Sequence, residues 1–120
     1  MELNEYQKQA MTTCTESSRN FSYMMLNLVG EVGELASKIA KMVRKEELTI
    51  IDDDLRSGCS FPELCHQDDE MRKEAGDILW QLSGLCSVMG WQLEDIATQN
   101  LEKLASRKER GVIVGDGDNR

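Results

Sequence analysis

One pattern occurs twice in this 120-residue chain and constrains its fold more than any other feature. Glu31-Val32-Gly33-Glu34-Leu35 returns 43 residues later as Glu74-Ala75-Gly76-Asp77-Ile78. The first copy is followed by Lys38, Ile39, Met42 and Val43, and the second by Gln81, Leu82, Leu85 and Cys86. Apolar residues at i, i+3, i+4 and i+7 form one face of an α-helix. At about 100° per residue the two acids of each copy stand about 60° apart, at the flank of the apolar arc rather than opposite it. Packing the two arcs together places four carboxylates along one seam. A duplicated helical hairpin without chemistry would repeat the apolar register, but it would not explain acids retained at both flanks.

The rest of the chain agrees with helices. Leu and Met together number 20 against 12 for Val and Ile, and there is a single proline. Both biases favour helix over sheet. Leu3, Tyr6, Ala10 and Cys14 predict a first helix ending near Glu16. Ser17-Ser18-Arg19-Asn20 reads as a turn, with Asn20 as the N-cap of a second helix from Phe21 to about Glu47. Residues 48–67 contain Asp52-Asp53-Asp54, Ser57-Gly58 and Pro62 and read as a connecting loop. A third helix is expected from about Gln67 to Met89, stopped by Gly90, and a fourth from about Leu93 to Arg110 carrying Leu93, Ile96, Leu101 and Leu104. The expected fold is all-α: a four- to five-helix bundle in a single domain, 1–110, with an unfolded Gly/Asp-rich tail, 111–120, outside it. A domain this small buries only about two-thirds of its unfolded surface, so completion by homo-oligomerisation is expected.

Charge and cysteine content exclude several classes. The net charge is −8, which ill suits a chain that must hold duplex nucleic acid or an anionic membrane. The longest uncharged stretch, Ile78 to Leu93, is too short and too polar to span a bilayer. The N-terminus lacks the basic and apolar segments of a signal peptide, so a cytoplasmic location is expected. Cys14, Cys59, Cys65 and Cys86 do not suggest a disulfide framework, and Cys14 and Cys86 read as small hydrophobes in helices. Cys59, Cys65 and His66 lack a CxxC pair and a fourth ligand, which outweighs a zinc reading. A di-iron bundle needs Glu-x-x-His pairs that are missing here. An EF-hand at Asp52 fails because Arg56 and Ser57 stand where a ligand and the turn glycine belong.

Four carboxylates at a partly desolvated seam repel one another, and divalent cations would relieve that repulsion. Hard oxygen ligands suit Mg²⁺ or Mn²⁺. These residues resemble a known motif: Glu31-x-x-Glu34 followed by Glu74-x-x-Asp77 is similar to the metal motif of the MazG-like nucleoside triphosphate pyrophosphohydrolases, in the all-α NTP pyrophosphatase superfamily. The family pattern is EExxE followed by ExxD. Gly30 replaces the first of the paired acids, and the interval between the motifs is lengthened by an insertion at about 48–67. Asn100, Lys103 and Arg107 share one face of the fourth helix and resemble the family's late Asn-x-x-Lys motif.

The resemblance covers roughly residues 20–110 and implies an enzyme that hydrolyses an NTP or dNTP to the monophosphate and pyrophosphate. It implies Glu31, Glu34, Glu74 and Asp77 as metal ligands for Mg²⁺ (or Mn²⁺), with Glu31 and Glu34 as catalytic residues and Glu34 the general base. It implies Asn100, Lys103 and Arg107 as substrate contacts, and a homodimer or homotetramer; Lys38, one turn beyond Glu34, is placed either to salt-bridge that Glu or to reach a phosphate as a further substrate contact. The base pocket would come from the first helix and the start of the second, with Phe21, Tyr23, Trp80 and Trp91 as candidate stacking residues, though each also suits a core or an interface. Close helix approach is the simplest reason for Gly33 and Gly76. Two rival readings stand beside this one: the same fold acting on phosphoribosyl-ATP or one specific deoxynucleotide, and a catalytically silent helical interaction module.

Overall fold

Helix α2 (Phe21–Arg44) and helix α3 (His66–Val88) pack along their length and form the spine of the protein. The computed structural model describes residues 1–57 and 66–120. Helix α1 (Leu3–Ala10) lies against α3, and helix α4 (Leu93–Glu109) packs chiefly on α1. The expected all-α class holds. It is supplemented by one antiparallel hairpin, β1 (Leu48–Ile51) and β2 (Asp54–Ser57).

The spine closes on a small set of side chains. Met24 of α2 is fully buried, and Gln81, Ser83 and Cys86 of α3 are at most 1% exposed. Gly84 permits this approach, because a Cβ there would collide with the Met24 sulfur. Gly33 and Gly76 are the glycines expected at the close contact, yet a Cβ added at either would meet nothing within 4 Å. The contact forms instead at Gly84, two turns beyond Gly76, where the glycine faces the inserted methionine.

Helix ends follow local chemistry. The first helix stops at Ala10 rather than near Glu16, passing into a 3₁₀ turn at Met11–Thr13. There the Thr12 and Thr13 hydroxyls donate to the carbonyls of Gln9 (2.6 Å) and Ala10 (2.7 Å), competing with the helix ladder. Asn20 caps α2 as anticipated, its Oδ1 accepting from the Tyr23 amide at 2.9 Å. Helices α2, α3 and α4 each end in a paired Schellman bond pattern, with Glu46, Gly90 and Gly111 in the left-handed region. The first of these uses no glycine, and α2 ends at Arg44, short of the expected Glu47.

Part of the expected loop at 48–67 is the hairpin. Asp52 and Asp53 have φ of 52° and 62°, as a type I′ turn requires, and pair Ile51 with Asp54. Leu48 anchors it, 3% exposed. Cys59, Pro62 and Cys65 lie outside the described residues, while His66 opens α3 and is exposed. Trp80 is structural: its indole N–H donates to the Ala10 carbonyl and the Thr13 hydroxyl, tying α1 to α3. Asn4 and Gln7 accept from the amides of Glu94 and Leu93 and so cap α4 from α1.

The tail departs from expectation. Arg107, 5% exposed, donates to the carbonyls of Gly117 and Asp118 and to the Asp118 carboxylate. Arg110 donates to the Arg120 carbonyl, and Arg120 to that of Val112. Three arginines therefore fold residues 111–120 back on the end of α4.

Asn20→Ala should cost about 1 kcal/mol of stability in urea unfolding, and Asn20→Asp should restore most of it. Equal loss in both variants would show that the cap contributes nothing.

Candidate metal centre

Glu31 on α2 and Glu74 and Asp77 on α3 face one another across the spine. One carboxylate oxygen from each lies within 4.8 Å of the others. The spacing is a direct consequence of the repeat: acids at the flank of two apolar arcs meet when the arcs pack. Glu74 is the most enclosed, its side chain 12% exposed, while Glu31 is half-buried and Asp77 exposed. Glu34 is exposed and does not join the three-residue cluster. It lines an adjacent cleft with Ser37, Lys38, Lys41 and Glu74.

Electrostatics mark the cluster as crowded. The Glu31 carboxyl is held above the usual carboxylate range, first by desolvation and then by the Glu34 charge, with smaller pushes from Asp77 and Glu74. A hydrogen bond from Asn27 Nδ2 (3.0 Å) opposes that rise. Lys38 supplies the local positive charge, its ammonium bonded to Glu74 and, at 3.1 Å, to Glu70. Those two bonds raise its own pKa. Glu70 is held low by Lys73 and then Lys38. The Tyr6 phenol is raised by burial and then by the Asp77 charge, which places α1 within electrostatic reach of the acids.

The donor set fits a hard divalent cation. All three ligands are carboxylate oxygens, and their spread is close to what one ion with metal–oxygen bonds of about 2.0–2.6 Å can bridge. Lys38 competes for Glu74, so an ion entering the cluster must displace or share that contact.

The cations expected on the fourth helix are elsewhere. Lys103 and Arg107 both bind Asp118 of the tail, at 3.2 and 3.0 Å, and Asn100 is exposed. The structure thus brings together Glu31, Glu74 and Asp77, with Glu34 and Lys38 alongside, and leaves Asn100, Lys103 and Arg107 on α4. Phe21, Tyr23 and Trp91 are exposed. Lys41, Glu70, Tyr6, Asn27 and Gln81 are neighbours that the sequence pattern does not single out as site residues. Lys41 and Asn27 stand one turn from Lys38 and Glu31, a spacing that could flag them.

A shift in this direction has a stability consequence. An acid whose folded pKa exceeds its unfolded one contributes most below the unfolded value, and that contribution is lost as pH rises through the folded value. In EDTA, Glu31→Gln should therefore be more stable than the unsubstituted chain at pH 7, with the gap closing toward pH 4. Urea unfolding at both pH values checks this, and a destabilised variant at pH 7 would contradict it.

Comparison with known proteins bears on the family of the chain. The family model described as the MazG nucleotide pyrophosphohydrolase domain matches residues 19–112. The "Gene 37 protein" of Mycobacterium phage L5 is similar, 35% identical over 105 residues, which cover 88% of this chain and 81% of the relative. No solved structure matches the chain.

Proposed function

This chain belongs to the MazG nucleotide pyrophosphohydrolase family, and from that premise we propose that it hydrolyses an NTP or dNTP, with Mg²⁺ or Mn²⁺, at the α–β phosphate bond. The observation that carries the reading is the convergence of Glu31, Glu74 and Asp77 at the α2/α3 seam. With Glu34, the carboxylate not fully engaged with the ion, they would form the ligand set, and the bound ion would neutralise phosphate charge and polarise the α-phosphoryl group. Glu34, exposed beside the cluster, takes a proton from the attacking water. The water oxygen bonds to the α-phosphorus, the bond to the α–β bridging oxygen breaks, and pyrophosphate leaves in line. Lys38 and Lys41 line the same cleft as Glu34, where Lys38 would meet the leaving phosphates.

The assembly in this proposal is a homodimer or homotetramer. The radius of gyration is 17.8 Å, against about 14 Å for a compact chain of this length. Leu26 and Val29 on α2 and Leu101 on α4 are 74%, 64% and 67% exposed. Apolar stripes this open on two helices of an expanded chain suit burial against a second copy. In such an assembly Asn100, Lys103 and Arg107 would serve as substrate contacts once Lys103 and Arg107 exchange Asp118 of the tail for phosphate. Residues 1–110 serve as one helical domain, with 111–120 as a strap on α4. Among the described residues no helix is long and apolar enough to cross a membrane, and a cytoplasmic setting accords with a nucleotide substrate.

The deciding assay measures pyrophosphate and monophosphate from a panel of NTPs and dNTPs, with Mg²⁺ and with EDTA. Equal yields of the two products, abolished by EDTA, are expected. Glu74→Gln and Asp77→Asn should each lower the rate more than about 100-fold, and Glu34→Gln by about 10²–10⁴-fold, with helical content unchanged. Release of orthophosphate instead would overturn α–β cleavage. Lack of turnover by a folded oligomer would favour an interaction module. Light scattering should give an even multiple of the 13.6 kDa chain mass. Leu26→Glu with Val29→Glu should reduce it to the monomer.

A further inference from the structure

Beneath the cluster, two amides connect Glu31 to the most buried part of the spine. Asn27 Nδ2 donates to Glu31 Oε1 at 3.0 Å and to Gln81 Oε1 at 2.9 Å. Gln81, 1% exposed, donates from Nε2 to the Met24 carbonyl at 3.2 Å. Met24 is itself fully buried and lies against Gly84. The chain of donors therefore runs from the Glu31 carboxylate through Asn27 and Gln81 to a main-chain carbonyl of α2.

Both amide orientations are determined by their partners. The Met24 carbonyl only accepts, so Gln81 must turn its NH₂ toward it and its oxygen toward Asn27. An ionised Glu31 also only accepts. Asn27 therefore points both its N–H groups outward, one to each neighbour, and reversing it would set its oxygen against two acceptors. The rotamer of Glu31 is thereby fixed from α3 as well as from its own helix. One oxygen is held by a neutral donor, and the remaining lone pairs are free for a cation. An amide suits this task better than Lys or Arg, because it orients the carboxylate without cancelling the charge a cation needs.

We propose that Asn27, supported by buried Gln81, is the positioning residue for Glu31: it sets the carboxylate in the geometry that completes the divalent-cation site with Glu74 and Asp77. This rests on the metal-site reading above and adds the residues that orient one ligand. Partners that orient a metal ligand typically contribute about 10–100-fold to metal affinity. Asn27 touches the ligand and not the reacting atoms, so its effect passes through the ion.

The test is Mn²⁺ binding by the full chain without nucleotide, followed by electron paramagnetic resonance of free Mn²⁺, with thermal unfolding measured in parallel. Asn27→Ala should weaken Mn²⁺ binding about tenfold or more. The double variant Asn27→Leu with Gln81→Leu replaces both polar partners by apolar groups of similar size, which recovers packing without the donor. Its unfolding temperature should return toward that of the unsubstituted chain while Mn²⁺ binding stays weak. Mn²⁺ affinity that recovers along with stability would show that the amides serve packing alone, and would overturn the proposal. So would unchanged affinity in Asn27→Ala. The metal-site reading fails separately: Mn²⁺ that does not saturate on the unsubstituted chain, or binds equally well to Glu74→Gln, removes the site and the positioning role together.

Discussion

The structure depends on how closely α2 and α3 can approach. Met24 enters the space left by Gly84, and Gln81, Ser83 and Cys86 close around it. Once the two helices are this close, residues at the facing flanks of the two apolar arcs are brought toward one another, and Glu34 alone of the four acids stays outside the cluster. The acids are at those flanks. Their convergence is thus a product of the same packing that stabilises the spine, and it opposes that packing, since like charges at a half-buried seam repel. Lys38, bridging Glu70 and Glu74, offsets part of the repulsion. The Glu31 carboxyl is held high first by desolvation and then by the neighbouring acids, Glu34 foremost. The acids gather along the same seam, two turns from its closest contact at Gly84, and the family to which the chain belongs uses divalent metal.

Stability and chemistry are therefore in competition along one seam. Local electrostatics that weaken the folded chain are the ones that would attract a divalent ion, and an ion bound to the folded state alone would return the lost free energy. The amides below the cluster fit this balance. A buried glutamine is costly unless bonded, and Gln81 is satisfied by accepting from Asn27 and by donating to the Met24 carbonyl and the Met24 sulfur. An apolar residue would pack there at less cost. The polar choice is sensible if the carboxylate above must be held in one place.

How much of this is legible in the sequence varies by level. The two long helices, their apolar faces and the acid flanks are all present in the 43-residue repeat, because periodicity and burial are local properties of the sequence. Asn20 and Gly90 mark helix ends for the same reason. What escapes such reading depends on contacts or on residues acting against type. Glu46, Asp52 and Asp53 adopt positive φ where glycine would have signalled it. Gly33 and Gly76 suggest a close approach that forms at Gly84 instead, a matter of which glycine meets a large side chain. Asn27 and Gln81 are 54 positions apart, and no local pattern joins them.

Helix α4 shows a further limit, since its sequence describes an amphipathic helix whose apolar face has no place within one chain. Ile96, Leu101 and Leu104 follow a core pattern, yet all are open. Its polar side is suited to meet phosphate, yet Lys103 and Arg107 are held by Asp118. Both departures have the same physical origin. A helix packed chiefly on the eight residues of α1 cannot bury its stripe, and a nearly buried guanidinium must find acceptors wherever the chain supplies them. The folded tail provides carbonyls and a carboxylate, which are the ligands a phosphate would otherwise replace. A second copy packed on the apolar stripe would add the buried surface that α4 lacks. It would also decide whether the cations remain committed to the tail or turn toward a nucleotide. The apolar stripe and the tail-bound cations of α4 are thus two faces of one packing problem, and burial of the stripe against a second copy would act on both.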